Sequence, residues 1–230
     1  LDRFSDADAF FIERSVPVAC DTLDRVLKNS HHNHVDFIKL DTQGSELAIL
    51  KGAGGTLSAG GVFGIKIELE FSGMYQEQPL FGEVDGFLRD QGFTLFDIKE
   101  PLGRKVRKTL AGAHTRGQVL WAHALYLRDL PGEAGLSGEW DAARAAQVIA
   151  LAEVYGFADF ALELVELFRQ QAVLDATSQE RICACLTSVR EPSPERLFMR
   201  EVRSAAGRFL SQRSPGMRRW VAKMLSSDRT

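Results

Sequence analysis

A carboxylate ends the first long apolar run of the sequence, and a second one follows closely. Asp41 closes the run 35–41, and Glu46 comes just after the turn-forming pair Gln43 and Gly44. In an open α/β sheet, ligands bind beyond the carboxyl ends of the parallel strands, where these side chains would lie. Carboxylates there can accept a proton from a substrate hydroxyl, bind a divalent ion or hold an ammonium group. The structural alternative is that Asp41 and Glu46 cap the following helix and neutralise its positive end.

A second pair of carboxylates ends the run 62–70. Glu68 and Glu70 are separated by one residue, so strand alternation predicts that they share a face. Their structural alternative is an ion pair with Lys66 or contact with solvent. The candidate catalytic residues of the sequence are Asp41, Glu46 and Glu68.

Strand-like runs alternate with helix-like segments up to about residue 130, which predicts βα units in a mostly parallel sheet. The predicted strands are 35–41, 62–70, 93–98 and 119–127, with an extended piece at 16–20. Because no helical pattern separates the last two strands, they are expected to pair antiparallel. A mobile basic loop over 101–117 would join them.

Beyond residue 130 the pattern is helical. The segment 131–138 has the composition of a linker, which predicts one domain over 1–130 and a helical accessory domain over 139–230. The predicted helices cover 140–155, 158–171, 178–189, 195–211 and 215–226.

The segment 195–230 is basic, with nine Lys or Arg and three acidic residues. Its apolar residues recur at helical spacing, so it is typical of basic amphipathic helices. These helices either contact a membrane surface or a protein, or pack on the acidic helices that precede them. Nucleic acid is not an expected partner.

Composition bounds the class of protein. The chain has 230 residues, a net charge of −3 and 45% hydrophobic residues, which excludes a disordered chain. Three cysteines are too few for a disulfide scaffold and favour a reducing compartment, so a cytoplasmic location is expected. The sequence contains no signal peptide pattern and no apolar run long enough to cross a membrane.

Three other patterns are not interpreted as sites. The glycines at 52–55 and 60–61 follow a helix and do not fit a phosphate-binding fingerprint. His31, His32 and His34 precede a strand and are predicted to form a solvated loop. Cys183 and Cys185 are predicted to be core thiols, and no metal site is assigned.

The motif around the first candidate residues resembles the FkbM-type methyltransferases. The residues Thr22-Leu23-Asp24 are followed by D-x-I-K-x-D-x-x-G-x-E-x-x-x-L-x-G-A over 36–53. Ile67-Glu68, Met74-Tyr75, Gln78-Pro79 and Gly92-Phe93 continue the resemblance, which covers about 12–128.

This resemblance implies a Rossmann-like class I methyltransferase sheet followed by an all-α C-terminal region. It also implies methyl transfer from S-adenosylmethionine to a hydroxyl of a sugar, other glycan or natural-product-like small molecule. Asp41 then matches the Asp that ends the family's fourth strand and would orient or deprotonate the acceptor. Glu46 matches the Glu of the G-x-E element and is the second candidate.

The resemblance is incomplete. The glycine-rich turn that holds the methionine part of the cofactor is not found in the sequence, nor is the acidic residue that binds the ribose. The chain is therefore expected to be the acceptor-side piece of a longer enzyme, with little activity in isolation. The alternatives are a half that pairs with another polypeptide and a non-catalytic platform that presents the basic helices to a protein or a membrane surface.

Overall fold

The computed structural model describes residues 13–30, 35–75, 77–107, 115–133 and 139–187, although not the side chains of 100 and 101. Its helices are α1 (Leu23–Lys28), α2 (Glu46–Lys51), α3 (Gly54–Ser58), α4 (Phe81–Asp90), α5 (Ala142–Val154), α6 (Ala158–Gln170) and α7 (Ala176–Thr187). Its strands are β1 (Phe37–Leu40), β2 (Gly64–Glu70), β3 (Thr94–Lys105) and β4 (Gln118–Leu127). A 3-10 turn, Leu130–Gly132, follows β4. The predicted helices 195–211 and 215–226 and the three-histidine cluster lie outside the described residues.

The four strands form one sheet in the order β1-β2-β4-β3. β1 and β2 pair in parallel, whereas β4 is antiparallel to both β2 and β3. The prediction of a mixed α/β fold with an antiparallel last pair is confirmed, but mostly parallel pairing is wrong, because β4 returns between β2 and β3. Since β1, β2 and β3 still run in one direction, their carboxyl ends lie at one edge of the sheet.

The hairpin of β3 and β4 is longer than the sequence indicates. β3 continues to Lys105, which pairs with Gln118, so the prediction of a loop starting at residue 101 is wrong. Shifts in register accompany this extension, and among the described strands β3 pairs with β4 alone. Pro101 is tolerated because an edge strand does not need every backbone donor.

The extended piece predicted at 16–20 is not a strand. Residues 13–22 form neither helix nor strand, and Val16 and Val18 are exposed. Pro17 removes a backbone donor, and no described strand lies alongside to pair with this segment.

The Thr22-Leu23-Asp24 element joins two short helices. Thr22 caps α1, since its Oγ1 accepts from the backbone N–H of Arg25 at 3.3 Å. Asp24 accepts from the N–H groups of Gly55 and Thr56, both at 2.8 Å, and from the Thr56 hydroxyl at 2.6 Å. These hydrogen bonds lower the pKa of Asp24. The first amides of α3 are thus occupied by a carboxylate of the same chain.

One face of the sheet packs on the helices that alternate with the strands. This core is apolar; its sheet residues include Ile38, Ile65, Ile67, Leu69 and Tyr126, and its helix residues include Leu47, Leu50, Leu57, Val84 and Leu88. Helical spacing in α4 brings Val84 and Leu88 to the same side, so burial of this face fixes the helix.

The opposite face is covered by α5, α6 and α7. Phe160 of α6 lies against Phe63 and Phe96, with ring centroids 6.4 and 4.7 Å apart. Tyr155, at the end of α5, stacks on Phe37 of β1 at 5.3 Å. Cys183 packs on this core as predicted, whereas Cys185 is exposed.

Arg144 links α5 to the amino ends of β1 and β2. Its guanidinium donates to the carbonyl of Gly61 at 3.0 Å and lies 3.6 Å from the carboxylate of Asp36. The same group stacks over the Trp140 ring at 4.2 Å.

Within the described residues, no helix is both long enough and apolar enough to cross a bilayer. The domain boundary at 131–138 stays a prediction.

Leu164→Ala is expected to destabilise the fold by about 3 kcal/mol, because Leu164 is fully buried between α6 and the sheet and its loss leaves a cavity. The measurement is urea unfolding followed by circular dichroism. Leu162→Ala is the matched control, since Leu162 lies on the same helix but is 37% exposed. Equal losses in the two variants would contradict the packing described for α6.

Candidate functional site

The turn after β1 needs two residues with positive φ. Gln43 has φ 57° and Gly44 has φ 104°, and together they reverse the chain before α2. A Cβ on Gly44 would lie 3.1 Å from the amide nitrogen of Gln78 and 3.3 Å from the ring of Tyr75. Glycine is therefore required both for the backbone conformation and for the close approach of the 74–78 segment.

Glu46 holds this turn from inside. Its Oε1 accepts from the backbone N–H of Thr42 at 2.6 Å and from the Thr42 hydroxyl at 3.0 Å. Its Oε2 accepts from the backbone N–H of Gly44 at 2.8 Å, and the residue is only 1% exposed. Both oxygens are thus occupied by the turn, so the geometry favours a positioning role for Glu46. This role is close to the structural alternative, in which Glu46 caps the start of the helix.

Asp41 lies at the surface of the same turn. Its side chain is 33% exposed and forms an ion pair with Lys39 at 3.2 Å. The amide of Gln43 donates to its other oxygen at 3.4 Å. Asp41 is the most accessible carboxylate of the group, as a residue that meets an incoming ligand must be.

Glu68 and Glu70 are buried at the end of β2. They are 5% and 2% exposed, so the alternative of contact with solvent is wrong. The amide of Gln43 donates to Glu68 Oε2 at 3.0 Å, which connects β2 to the turn after β1. On the neighbouring β4, His123 lies opposite Glu68 and Trp121 opposite Glu70.

The concentration of carboxylates shifts their ionisation. Burial raises the pKa of Glu70 to about 7, and the charges of Glu46 and Glu68 add to the effect. Burial also raises the pKa of Glu68, helped by the charges of Asp41 and Glu46 and opposed by Lys39. A carboxyl whose pKa is near neutrality can exchange a proton at physiological pH, as acid–base chemistry requires.

The segment after β2 covers these carboxylates. Gln78 Oε1 accepts from the backbone N–H groups of Met74 and Tyr75 at 2.9 and 3.1 Å. The Tyr75 hydroxyl lies 3.4 Å from Gln43 Oε1, and its pKa is raised by burial and by Glu68, Glu70 and Glu46. The Gln78 amide is close enough to favour the charged form of Glu70, yet neither Gln78 Nε2 nor Glu70 Oε1 makes a hydrogen bond.

The three residues predicted from the sequence, Asp41, Glu46 and Glu68, therefore meet at one edge of the sheet. Glu70, the second member of the pair predicted at the end of β2, completes the group together with Tyr75 and Gln78, and none of these three is among the predicted catalytic residues. A run of carboxylates at the end of a buried strand is a signal for Glu70, whereas the 71–80 segment has no periodicity that would place Tyr75 or Gln78.

Among the described residues, no three His, Cys, Asp or Glu side chains are arranged to hold a metal ion.

Comparison with known families finds a match in the first part of the chain. Residues 2–95 match the model of the methyltransferase FkbM domain, which confirms the resemblance drawn from the motif over 36–53. The match ends at the start of β3, short of residue 128, to which the resemblance was extended. Searches of curated proteins and of solved structures gave no match.

Glu46→Ala is expected to lower the free energy of unfolding by roughly 2–4 kcal/mol, because it leaves the N–H groups of Thr42 and Gly44 without their acceptor. The measurement is urea unfolding, with amide exchange of Gly44 as a local probe. Glu163→Ala, on the exposed face of α6, is the control. Unchanged exchange at Gly44 would show that Glu46 does not hold the turn.

Glu70→Gln is expected to remove a pH dependence of stability. The folded state keeps the Glu70 proton up to a pKa of about 7, whereas the unfolded chain loses it near 4.5, so wild-type stability falls as pH rises through this window. Between pH 4.5 and 8, the free energy of unfolding of the variant should therefore rise relative to that of wild type, by at most about 3 kcal/mol. Urea unfolding of both proteins across this range is the measurement, and a constant difference would refute it.

Proposed function

We propose that this protein, whose residues 2–95 match the methyltransferase FkbM domain, transfers a methyl group from S-adenosylmethionine to a hydroxyl of a sugar or natural-product-like acceptor. The observation that carries the proposal is the convergence of Asp41, Glu68 and Glu70 where β1 and β2 end. Ligands of open α/β sheets bind at this edge. A Rossmann-like sheet is consistent with three strands running in one direction and with helices on both faces.

The carboxylate group fits the charge of the proposed donor. S-adenosylmethionine, when bound, supplies a methyl group on a positively charged sulfur. Asp41 and the ionised fractions of Glu68 and Glu70 carry more negative charge than the nearby cation Lys39, which forms an ion pair with Asp41. A cation nearby is therefore electrostatically favoured. We assign no residue of this chain to direct contact with the cofactor.

The reaction requires a site for the acceptor and a destination for its proton. The acceptor oxygen would bond to the methyl carbon that S-adenosylmethionine supplies, with its sulfur as the leaving group, and the hydroxyl would give up its proton. Asp41 is the accessible carboxylate and is proposed to orient the hydroxyl and take this proton. Glu46 fixes the turn that carries Asp41, and Gln43 joins Asp41 to Glu68. Positioning of this kind is the main contribution that a protein makes to an in-line displacement.

Asp41→Asn is expected to lower the rate of methyl transfer roughly 100-fold or more, because the amide cannot accept the proton. Stability should change little, since a half-exposed ion pair contributes about 0–1 kcal/mol. The measurement is transfer of labelled methyl from S-adenosylmethionine to a panel of sugars. Asp90→Asn, an exposed change at the end of α4, is the control.

The assay is run on this chain and on a version extended upstream in its coding sequence, with calorimetric titration of S-adenosylmethionine into both. Binding by the extended protein alone would assign the cofactor contacts to the added residues. Binding by this chain without the extension would assign them to residues of this chain. Full activity in the Asp41 variant would remove Asp41 from the mechanism, and no transfer by either protein would favour the platform alternative.

A further inference from the structure

Trp121 is a large aromatic side chain of the sheet that packs in neither apolar core. It lies on β4 and is partly exposed, and among the described residues it belongs to neither of the two cores. Alternation along β4 places it on the same face of the sheet as Leu125. The mechanism proposed above does not use this ring. An aromatic ring that the cores leave in contact with water is available to pack against a ligand.

A glycine of the neighbouring strand fixes the plane of this ring. Gly103 pairs with Trp121 in the register of β3 and β4. A Cβ on Gly103 would lie 2.1 Å from the indole atoms Cδ2 and Cε2 and 2.5 Å from Nε1. A side chain at position 103 would therefore displace the ring. The indole lies flat over the backbone of β3, and its outward face is directed away from that strand.

The hairpin that carries Trp121 is basic. Residues 101–121 contain five Lys or Arg and no Asp or Glu. The ammonium of Lys105 lies 5.5 Å from the centroid of the Trp121 ring. Arg104 is exposed, and its Nη1 donates to the carbonyl of Gly117, a neutral group, at 3.1 Å. The surroundings of the ring are thus positively charged and attract an anionic group.

Two hydrogen bonds join the base of this hairpin to the segment that covers the candidate site. The backbone N–H of Phe71 donates to the carbonyl of Leu120 at 2.7 Å. Gln118 Nε2 donates to Ser72 Oγ at 3.3 Å. Phe71 and Ser72 directly follow the last residue of β2, so the hairpin and the candidate site are held together.

Strand geometry gives the separation of Trp121 from Asp41. Trp121 lies opposite Glu70, and Asp41 follows the residue of β1 that pairs with Ile67. Two strand spacings across the sheet and two residues along it separate the Cα atoms of Trp121 and Asp41 by about 12 Å. Alternation places both side chains on the same face. An acceptor of two sugar rings can therefore contact Trp121 while one of its hydroxyls meets Asp41.

Charge divides this edge of the sheet into two halves. The ends of β1 and β2 carry Asp41, Glu68 and Glu70, whereas the β3–β4 hairpin carries cations. The proposed donor is positively charged and is favoured at the acidic half, so the basic half suits an acceptor of opposite charge. The C–H face of a sugar ring is apolar and can pack on an indole, and a uronic acid adds a carboxylate to such a ring.

We propose, on the premise of the proposed function, that the β3–β4 hairpin forms the acceptor subsite and that the acceptor is an acidic sugar. The sugar ring packs on the outward face of Trp121. Its carboxylate pairs with Lys105 and Arg104, while Asp41 meets the reacting hydroxyl on the adjoining ring. Uronic acids are thus favoured over neutral sugars.

The test is a nuclear magnetic resonance titration of the full chain with the methyl glycosides of glucuronic acid and of glucose. The indole N–H signal of Trp121, assigned by its loss in Trp121→Phe, reports on the subsite. The uronate is expected to shift this signal in a saturable way and to bind at least about 5-fold more tightly than the neutral sugar, the contribution of one exposed ion pair. High salt should remove this preference, because ions screen exposed charges.

Two variants separate the contribution of charge from that of the ring, with affinities measured by calorimetry. Lys105→Gln is expected to weaken the uronate about 5-fold and to leave the neutral sugar unchanged. Trp121→Leu removes the flat ring and is expected to weaken both sugars roughly 5-fold. Lys28→Gln, an exposed change on α1, is the charge control and should alter neither affinity.

The outcomes distinguish this subsite from the proposed function. A Trp121 signal that does not respond to the uronate, or equal affinity for the two sugars, overturns the subsite. A dinucleotide that binds more tightly than the uronate also overturns it, because stacking beside cations would then serve nucleic acid. Methyl transfer to a sugar in any of these cases leaves the proposed function intact. Binding as expected, without transfer by this chain or its extended version, supports the subsite and contradicts the methyltransferase activity.

Discussion

The central position of β2 is the constraint on which the site depends. β2 pairs with β1 on one side and β4 on the other, and helices cover both faces of the sheet. Its side chains are therefore removed from water along nearly the whole strand. Glu68 and Glu70 are buried because they belong to this central strand. Their burial does not depend on any ligand. Burial then raises the pKa of each, so the architecture itself supplies the unusual electrostatics of the edge.

Glu46, Asp41 and Glu70 lie in different environments and therefore differ in what their carboxylate oxygens can bind. Glu46 gives both oxygens to the backbone of the turn, which leaves it little capacity to bind anything else. Asp41 is held through Lys39 and Gln43 but stays open to solvent. Glu70 keeps an oxygen without a partner. Residues of the same chemical type thus differ in availability because the turn, the surface and the strand interior impose different environments on them.

Local sequence patterns predicted the positions of most helices and strands, but they did not predict features that depend on contacts between distant segments. Alternation located β1, β2 and β4, and strand-end logic brought Asp41 and Glu68 to one edge. The insertion of β4 between β2 and β3 was missed, because strand order depends on pairing between distant segments. The role of Glu46 depends on backbone angles at Gln43 and Gly44, which composition does not reveal. Gln78 belongs to the motif that carries the resemblance, but its approach to Gly44 depends on the folding of residues that follow β2.

The aromatic contact between α6 and the sheet determines how the chain can be divided in recombinant work. Phe160 rests on Phe63 and Phe96, and Tyr155 covers Phe37. A cut between residues 133 and 139 would separate these partners and leave three sheet phenylalanines in water. Such a truncated protein would self-associate through the bare face, since a contiguous aromatic surface of this kind drives aggregation. A recombinant version of the sheet therefore needs to retain α5 and α6.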